Sequence, residues 1–182
     1  MSRLIAVVAP SGAGKDTLLD GALAARPALT VVRRVITRPE SAGGEGYEGV
    51  SECEFDRRLA AGAFRLWWPA HGLRYGVPMS VEDDLTAGRV VLFNGSRDAL
   101  PAIHEAFPGV GVILITAPEP MLRARLMARG RESAEEIEER LVRAARPAPE
   151  GALVVANDGS IEEGVVRFLA AIDRLSAPVE SV

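Results

Sequence analysis

The stretch Ala9-Pro10-Ser11-Gly12-Ala13-Gly14-Lys15-Asp16-Thr17 follows the apolar run of residues 4–8 and precedes a segment whose apolar residues have helical spacing. A strand, a glycine-rich turn, a lysine and a helix in this order are typical of a phosphate-binding loop, whose backbone N–H groups and lysine hold nucleotide phosphates. The alternative is a glycine-rich turn without a ligand. The pattern predicts that a nucleotide cofactor binds Pro10, Ser11, Gly12, Ala13, Gly14, Lys15, Asp16 and Thr17.

The loop departs at two positions from the usual pattern G-x-x-x-x-G-K-[ST]. Ala9 stands where the first glycine belongs, and Asp16 stands where the magnesium-binding hydroxyl belongs, with Thr17 one place later. Magnesium prefers hard oxygen ligands, so Asp16 and Thr17 are the candidate metal ligands, directly or through water. For Asp16, the alternative is that a carboxylate only favours the N-terminus of the helix.

The composition predicts a soluble protein with small-molecule partners. A chain of 182 residues with 48% hydrophobic and 25% charged residues suits one domain without a membrane span. The net charge of -4 argues against nucleic acid as a partner, because phosphate backbones need a basic surface. The lone cysteine, Cys53, excludes an internal disulfide, and no signal peptide precedes the first strand, so we expect the cytoplasm. The oligomeric state stays open, with a homodimer as one option.

Strands and helices alternate along the chain, which predicts an α/β fold with a mainly parallel five-stranded sheet between helices. Three serine-led capping boxes, Ser51 with Glu54, Ser133 with Glu136 and Ser160 with Glu163, mark helix starts. Aromatic residues around His71-Gly72 predict a hairpin in a lobe distinct from the main sheet. The predicted strands are residues 3–9, 29–37, 90–93, 110–116 and 152–156, and the predicted helices are residues 15–25, 51–61, 80–87, 118–129, 133–141 and 160–175.

Arginines at or beyond the ends of predicted elements form the second informative group. On a phosphate-loop scaffold they favour a kinase, because phosphoryl transfer needs positioning and charge neutralisation and arginine binds phosphate in a bidentate manner. We expect Arg129 and Arg131 in a mobile lid, whereas a solvated helix face is the alternative for Arg140 and Arg143. The set is Arg38, Arg97, Arg129, Arg131, Arg140 and Arg143.

Motifs over nearly the whole chain resemble the guanylate kinases, a family of P-loop kinases. Besides the phosphate loop, these motifs are Thr37-Arg38-Pro39, Gly44-Glu45, Tyr47, Val50-Ser51-x-x-Glu54-Phe55, Gly62-x-Phe64-x-x-Trp67, His71-Gly72, Tyr75-Gly76, Leu126-x-x-Arg129-Gly130 and Asn157-Asp158. The resemblance implies ATP and Mg²⁺ as cofactors, with Asn157 and Asp158 beside the adenine. It implies a core of residues 1–36, 81–128 and 146–175, an acceptor lobe at 37–80 and a lid at 129–145. Apart from the resemblance, we expect a disordered tail at 176–182.

The same resemblance implies roles for the remaining polar residues. The catalytic set is Lys15, Arg38, Arg129, Arg131 and Arg140, which would neutralise charge on the transferred phosphoryl group. The acceptor-binding set that we expect adds three residues that the guanylate kinase resemblance does not imply, Asn94, Ser96 and Arg97, to Arg38, Glu45, Tyr47, Tyr75 and Arg143.

The departures from the family concern the acceptor. Leu66 stands where guanylate kinases have a glutamate that hydrogen-bonds guanine, and Ser41 replaces their second acceptor arginine. A site built to hydrogen-bond its substrate discriminates by roughly 10⁴ to 10⁵, so an alkyl chain there argues against guanine. Asn94 and Ser96 replace two aspartates after the third strand. We therefore expect a phosphate compound without guanine as the acceptor.

Within the family, the sequence resembles one branch, the ribose 1,5-bisphosphate phosphokinases. The motifs that carry this resemblance include Ile36-Thr37-Arg38, Asn94-Gly95-Ser96-Arg97 and Arg129-Gly130-Arg131-Glu132. The resemblance implies ATP-dependent phosphorylation of a sugar phosphate, ribose 1,5-bisphosphate, to 5-phosphoribosyl 1-diphosphate. The alternatives are a guanylate kinase and, from another class, a non-catalytic binding module.

Two hypotheses go beyond the resemblance. The loss of carboxylates at Asn94 and Ser96 and the gain of one at Asp16 suggest that the carboxylate that orders magnesium has moved into the phosphate loop. Arg97 is the candidate for holding the additional 5-phosphate, which guanylate kinases do not need to bind.

Overall fold

The structure is a computed structural model, and it describes residues 3–40, 46–130 and 132–177. The predicted α/β fold is confirmed, with a five-stranded sheet in the order β2-β7-β1-β8-β9, and each neighbouring pair is parallel. The strands are β1 (Leu4–Val8), β2 (Thr30–Val31), β3 (Val35–Ile36), β4 (Glu48–Gly49), β5 (Phe64–Ala70), β6 (Leu73–Pro78), β7 (Val91–Asn94), β8 (Gly111–Thr116) and β9 (Leu153–Ala156).

Helices cover both faces of this sheet, and none in the described ranges is long and apolar enough to cross a membrane. The capping boxes predicted at Ser133 and Ser160 are both present. The helices are α1 (Lys15–Ala25), α2 (Glu52–Ala60), α3 (Val81–Thr86), α4 (Leu100–Ala106), α5 (Glu119–Arg129), α6 (Ala134–Ala144) and α7 (Ile161–Ser176). The predicted disordered tail begins at Ser176, which the structure places at the end of α7, and from residue 178 onward the tail lies outside the described ranges.

The capping box predicted at Ser51 is only half formed. Ser51 Oγ accepts from the backbone N–H of Glu54, as expected. The Glu54 carboxylate instead accepts from Arg57 and Arg58, at 2.7 Å from each, because these arginines follow it by one helical turn. Their hydrogen bonds lower the pKa of Glu54 to about 2.

The prediction of one continuous strand over residues 29–37 is wrong. The chain pairs with β7 only at β2, and it then leaves the main sheet to form β3 in a second sheet. Arg33 and Arg34 lie at this transition, because a strand covered on both faces cannot accommodate two consecutive charged side chains. Arg33 is exposed, whereas Arg34 is buried.

The second sheet has four strands in the order β4-β3-β6-β5, and it includes β3 although residues 1–36 are the predicted core. The predicted hairpin is formed by β5 and β6 around His71 and Gly72, whose φ angles of 53° and 72° suit a two-residue hairpin turn. Leu66 and Trp68 on β5 pack into the hydrophobic cluster under the main sheet. The lobe therefore shares a core with the sheet that carries the phosphate loop.

Alternation along β1 divides the core into two clusters. Ile5 and Val7 face α1, α5, α6 and α7, whereas Leu4, Ala6 and Val8 face α4 and the second sheet. A parallel central strand with both faces buried has this uniformly apolar composition. The phosphate loop begins where β1 ends, so the core fixes its position at the carboxyl edge of the sheet.

Candidate active site

One cavity of about 340 Å³ lies at the carboxyl ends of β1 and β7. The phosphate loop forms one side, the β5–β6 hairpin forms the opposite side, and the end of α6 borders both. Its size lies in the usual range of small-molecule sites. The lining residues are Ala9, Pro10, Ser11, Gly12, Ala13, Gly14, Lys15, Asp16, Thr17, Arg34, Trp68, Ala70, His71, Tyr75, Gly95, Ser96, Arg97, Asp98, Arg129, Arg140, Arg143, Ala144 and Arg146.

The phosphate loop has the backbone conformation that its glycines allow. Gly12 and Gly14 have φ angles of 89° and 86°, in the left-handed region that favours glycine. Gly14 is the N-cap of α1 and has no side-chain acceptor, so an anion at this end would complete the hydrogen bonds of the first-turn N–H groups. Ala9, the first departure from the usual pattern, packs against the core.

Lys15, Asp16 and Thr17 lie together on the cavity wall. Lys15 Nζ is 2.8 Å from Asp16 Oδ1, and the Asp16 side chain is about half exposed. Within the described ranges, no group of three or more His, Cys, Asp or Glu residues could hold a metal. A magnesium ion here would therefore depend on Asp16, Thr17, water and nucleotide phosphates, which is the usual mixture for this ion.

Asn94 supplies a test of the magnesium hypothesis. It ends β7, it is 4% exposed, and its Oδ1 is buried without a hydrogen-bond partner. The adjoining Gly95 and Ser96 line the cavity, but Asn94 itself does not. The oxygen donors that do line the cavity include those of Asp16 and Thr17, and hard oxygen donors of this kind are compatible with magnesium.

The predicted lid contacts the phosphate loop directly. Arg140 Nη1 donates to Ser11 Oγ at 2.7 Å, and its Nη2 lies 3.4 Å from Glu132. Arg129 also lines the cavity, whereas Arg131 lies outside the described residues. A contact that the sequence analysis missed adds to this link, because Arg125 donates to the carbonyl of Gly12 at 3.2 Å.

Arg97 links the end of β7 to the end of α6. Its guanidinium donates to the carbonyls of Arg143, Ala144 and Arg146 at 3.3 to 3.5 Å, at and just beyond the C-terminal end of α6. Arg146 in turn lies 2.7 Å from Asp98. Burial, followed by the nearby charge of Arg146, lowers the pKa of Arg97. Arg143, another predicted acceptor ligand, lines the cavity at the same helix end.

Asn157 lies beneath the phosphate loop. It is 5% exposed, and its Nδ2 donates to the carbonyl of Ala13 at 2.7 Å. A side chain at Gly14 would collide with this amide, and one at Gly164 would come within 2.8 Å of its oxygen. Asp158 pairs with Arg167, which lowers the pKa of Asp158. Neither residue lines the cavity, so their contact with adenine stays a prediction.

The predicted acceptor residues divide into two groups. Tyr75 and Ser96 line the cavity, whereas Arg38 and Tyr47 do not. The Arg38 guanidinium lies over the Tyr47 ring at 5.6 Å, and the Tyr47 hydroxyl donates to the carbonyl of Pro39. Glu45, also predicted to bind the acceptor, and Ser41 lie outside the described residues.

Several lining residues were not predicted, above all Arg34. It is 8% exposed and lies over the rings of Trp68 and Tyr75. The sequence signal was the pair of arginines that interrupts an apolar segment. This pair does not show that Arg34 lines the cavity, because that position depends on contacts with residues about 35 to 40 positions later. The sequence also did not indicate that three other residues line the cavity, because their positions depend on tertiary contacts: His71, Asp98 and Arg146.

The fold and the site define a P-loop kinase, and the chain belongs to the guanylate kinase family, whose sequence model matches residues 1–173. The crystal structure of guanylate kinase from Anaplasma phagocytophilum superimposes with a TM-score of 0.73 over 97% of this chain and 87% of that one. The two sequences are 22% identical, so this likeness shows the fold alone.

Relatives that are similar in sequence include members of one branch of the guanylate kinase family. Ribose 1,5-bisphosphate phosphokinase PhnN of Pseudomonas fluorescens is 45% identical over 94% of this chain and 95% of its own length. A bifunctional ribose 1,5-bisphosphokinase-thymidine phosphorylase of Azorhizobium caulinodans is 48% identical over 91% of this chain and 25% of its own length. The chain thus spans about a quarter of that longer relative and nearly all of the first. These matches confirm the predicted resemblance to ribose 1,5-bisphosphate phosphokinases.

Proposed function

We propose that this protein transfers the γ-phosphoryl group of ATP to the 1-phosphate of ribose 1,5-bisphosphate, giving 5-phosphoribosyl 1-diphosphate and ADP. The observation that carries the proposal is a single cavity in which a phosphate loop faces arginines from other elements. Support also comes from full-length PhnN relatives at 45% and 46% identity, whose names state this activity. Leu66 is buried in the core and offers no hydrogen bond to a guanine base.

The chemistry suits a site without a strong base. An oxygen of the 1-phosphate attacks the γ-phosphorus, and the bond from that phosphorus to the ADP oxygen breaks. The attacking phosphate is already anionic, because the second pKa of such an ester is about 6. Catalysis therefore consists of holding two phosphates in line and neutralising their charge, which lysine and arginine side chains do.

The donor site takes ATP on the phosphate loop, from Pro10 to Thr17. Lys15 contacts the phosphates, and Arg129, Arg131 and Arg140 close over the transferred group. When bound, magnesium neutralises part of the charge on the β- and γ-phosphates; Asp16 and Thr17 hold it directly or through water. Asn157 supports the loop from below, since its amide holds the carbonyl of Ala13.

The acceptor site takes the sugar phosphate between the lid and the lobe of residues 37–80. Tyr75, Ser96, Arg97 and Arg143 already line the cavity. Arg38 and Tyr47 do not line the cavity, and they contribute if the lobe moves toward the loop. Glu45 and Asn94 complete the proposed acceptor set. We place the enzyme in the cytoplasm, where ATP is supplied, with no nucleic acid or membrane as a partner.

A paired-substrate assay tests this function. The purified protein receives ATP and magnesium with either ribose 1,5-bisphosphate or GMP, ADP release is measured, and the product is identified by mass. We expect a diphosphate from the bisphosphate and a kcat/KM for GMP lower by about 10⁴-fold. GDP formation with a comparable kcat/KM would make the protein a guanylate kinase. Binding of ATP without transfer to either acceptor would support a non-catalytic module.

A further inference from the structure

Cationic side chains reach the cavity from two opposite sides. On the side of the second sheet, Arg34 lies beside Trp68, Ala70, His71 and Tyr75. Among the described lining residues, Arg34 is the one arginine on this wall. The loop and lid side carries the other cations, which are Lys15, Arg97, Arg129, Arg140, Arg143 and Arg146.

Arg34 rests on an aromatic surface. Trp68 and Tyr75 are cross-strand neighbours, and their rings stack with centroids 5.6 Å apart and planes 9° from parallel. The Arg34 Cζ lies 5.0 Å from the Tyr75 centroid and 5.6 Å from the Trp68 centroid. Such contacts engage the face of a guanidinium, whereas its hydrogen-bond donors lie along its edge. The rings therefore orient a charge that is suited to bind an anion.

The shape of a sugar bisphosphate places its second anion on this side. The reacting phosphate has to lie beside the γ-phosphoryl group on the phosphate loop. A five-membered ring separates the other phosphate from it, so that phosphate extends away from the loop and toward the opposite wall. Arg34 lines that wall, and arginine suits the bidentate geometry of phosphate.

Arg97, the residue expected from the sequence to hold this phosphate, has a different environment. Its guanidinium donates to three carbonyls at the end of α6, and it lies on the lid side. These contacts suit a residue that positions the lid helix.

We propose that Arg34 binds the acceptor phosphate that is not phosphorylated, and thereby selects a bisphosphorylated sugar over a monophosphorylated one. The inference rests on the proposed function and names the residue that sets its acceptor specificity. Trp68 and Tyr75 are positioning residues, because they act on the substrate through Arg34.

The test compares two acceptors, ribose 1,5-bisphosphate and ribose 1-phosphate, which lacks the second phosphate. Three variants are matched: Arg34→Met, Arg97→Met and Arg33→Met. Arg33 is the adjacent, exposed arginine, which pairs with Glu40 and does not line the cavity. Thermal melting checks that each variant folds, and Arg34→Lys retains a charge if the methionine variant is unstable.

Arg34→Met is expected to lower kcat/KM for the bisphosphate by roughly 100-fold, because it removes a hydrogen bond to a charged group. The kcat/KM for ribose 1-phosphate and the KM for ATP should stay nearly unchanged. The kcat/KM of Arg34→Lys for the bisphosphate is expected to lie between those of the wild type and Arg34→Met. Arg97→Met is expected to lower kcat/KM for both acceptors by a similar factor. Arg33→Met is expected to change kcat/KM for neither acceptor.

An unchanged preference for the bisphosphate in Arg34→Met or Arg34→Lys would overturn the inference. Loss of the preference for the bisphosphate only in Arg97→Met would also overturn the inference. It would indicate that Arg97 binds the second phosphate. Failure of the proposed function shows separately, because the wild-type protein would then form no diphosphate from the bisphosphate.

Discussion

The two walls of the cavity are built in different ways. The phosphate loop is a local structure, fixed by two glycines in the left-handed region and by the start of α1. The facing wall is assembled from distant parts of the chain, since Arg34 precedes β3 and its aromatic partners lie on β5 and β6. The local wall is suited to nucleotide phosphates, and we propose that the assembled wall recognises the acceptor.

The largest effect is expected from Lys15→Met on the local wall. The substitution removes the charge that we propose contacts the transferred phosphoryl group, so kcat should fall on the order of 10³-fold. The melting temperature should change little, because Lys15 Nζ forms a partly exposed ion pair. A kcat within tenfold of the wild type would show that the loop lysine does not take part in transfer.

Gly14→Ala should weaken ATP binding because the loop cannot keep its shape. The φ of 86° disfavours alanine, by about 1 to 3 kcal/mol, and the new methyl group would collide with Asn157. Gly109→Ala is the matched control, because Gly109 has a φ of 82° and nothing within 4 Å of an added Cβ. Both variants should lose stability, but only Gly14→Ala should raise the Kd for ATP in calorimetry. Equal ATP affinities would contradict the role of this close approach.

Asp16→Ala tests the magnesium hypothesis. If the carboxylate in the loop orders the ion, the magnesium concentration for half-maximal activity should rise roughly 10-fold, as it does when groups around a metal are removed. The measurement is turnover against magnesium concentration at saturating ATP. An unchanged magnesium dependence would leave Asp16 only the role of favouring the N-terminus of α1.

The smallest effect concerns acid stability of the lobe. Arg57 and Arg58 lower the pKa of Glu54 from 4.5 to about 2, so this carboxylate stabilises the fold above its unfolded pKa. That contribution should be lost as the pH falls from about 4.5 to about 2. Glu54→Gln should remove this part of the pH dependence of unfolding, whereas Glu105→Gln, at an exposed site of α4, should not. Identical curves for both variants would contradict the assignment.

The same difference between local and assembled structure explains what the sequence could predict. The phosphate loop, the parallel sheet and two complete capping boxes follow from short-range patterns, and each is present. The break between β2 and β3 could not be predicted from the sequence. Two arginines in an apolar run are compatible with the end of a strand as well as with a strand that continues past them. The carbonyl partners of Arg97 and the aromatic partners of Arg34 depend on tertiary contacts, so no local pattern could indicate them.

The most direct measurement is a crystal structure with a non-hydrolysable ATP analogue, magnesium and ribose 1,5-bisphosphate. The account predicts the triphosphate on the loop amides and the 1-phosphate beside the γ-position. It predicts the 5-phosphate within about 3 Å of the Arg34 guanidinium nitrogens. Both acceptor phosphates on the loop and lid side, with Arg34 contacting neither, would contradict it.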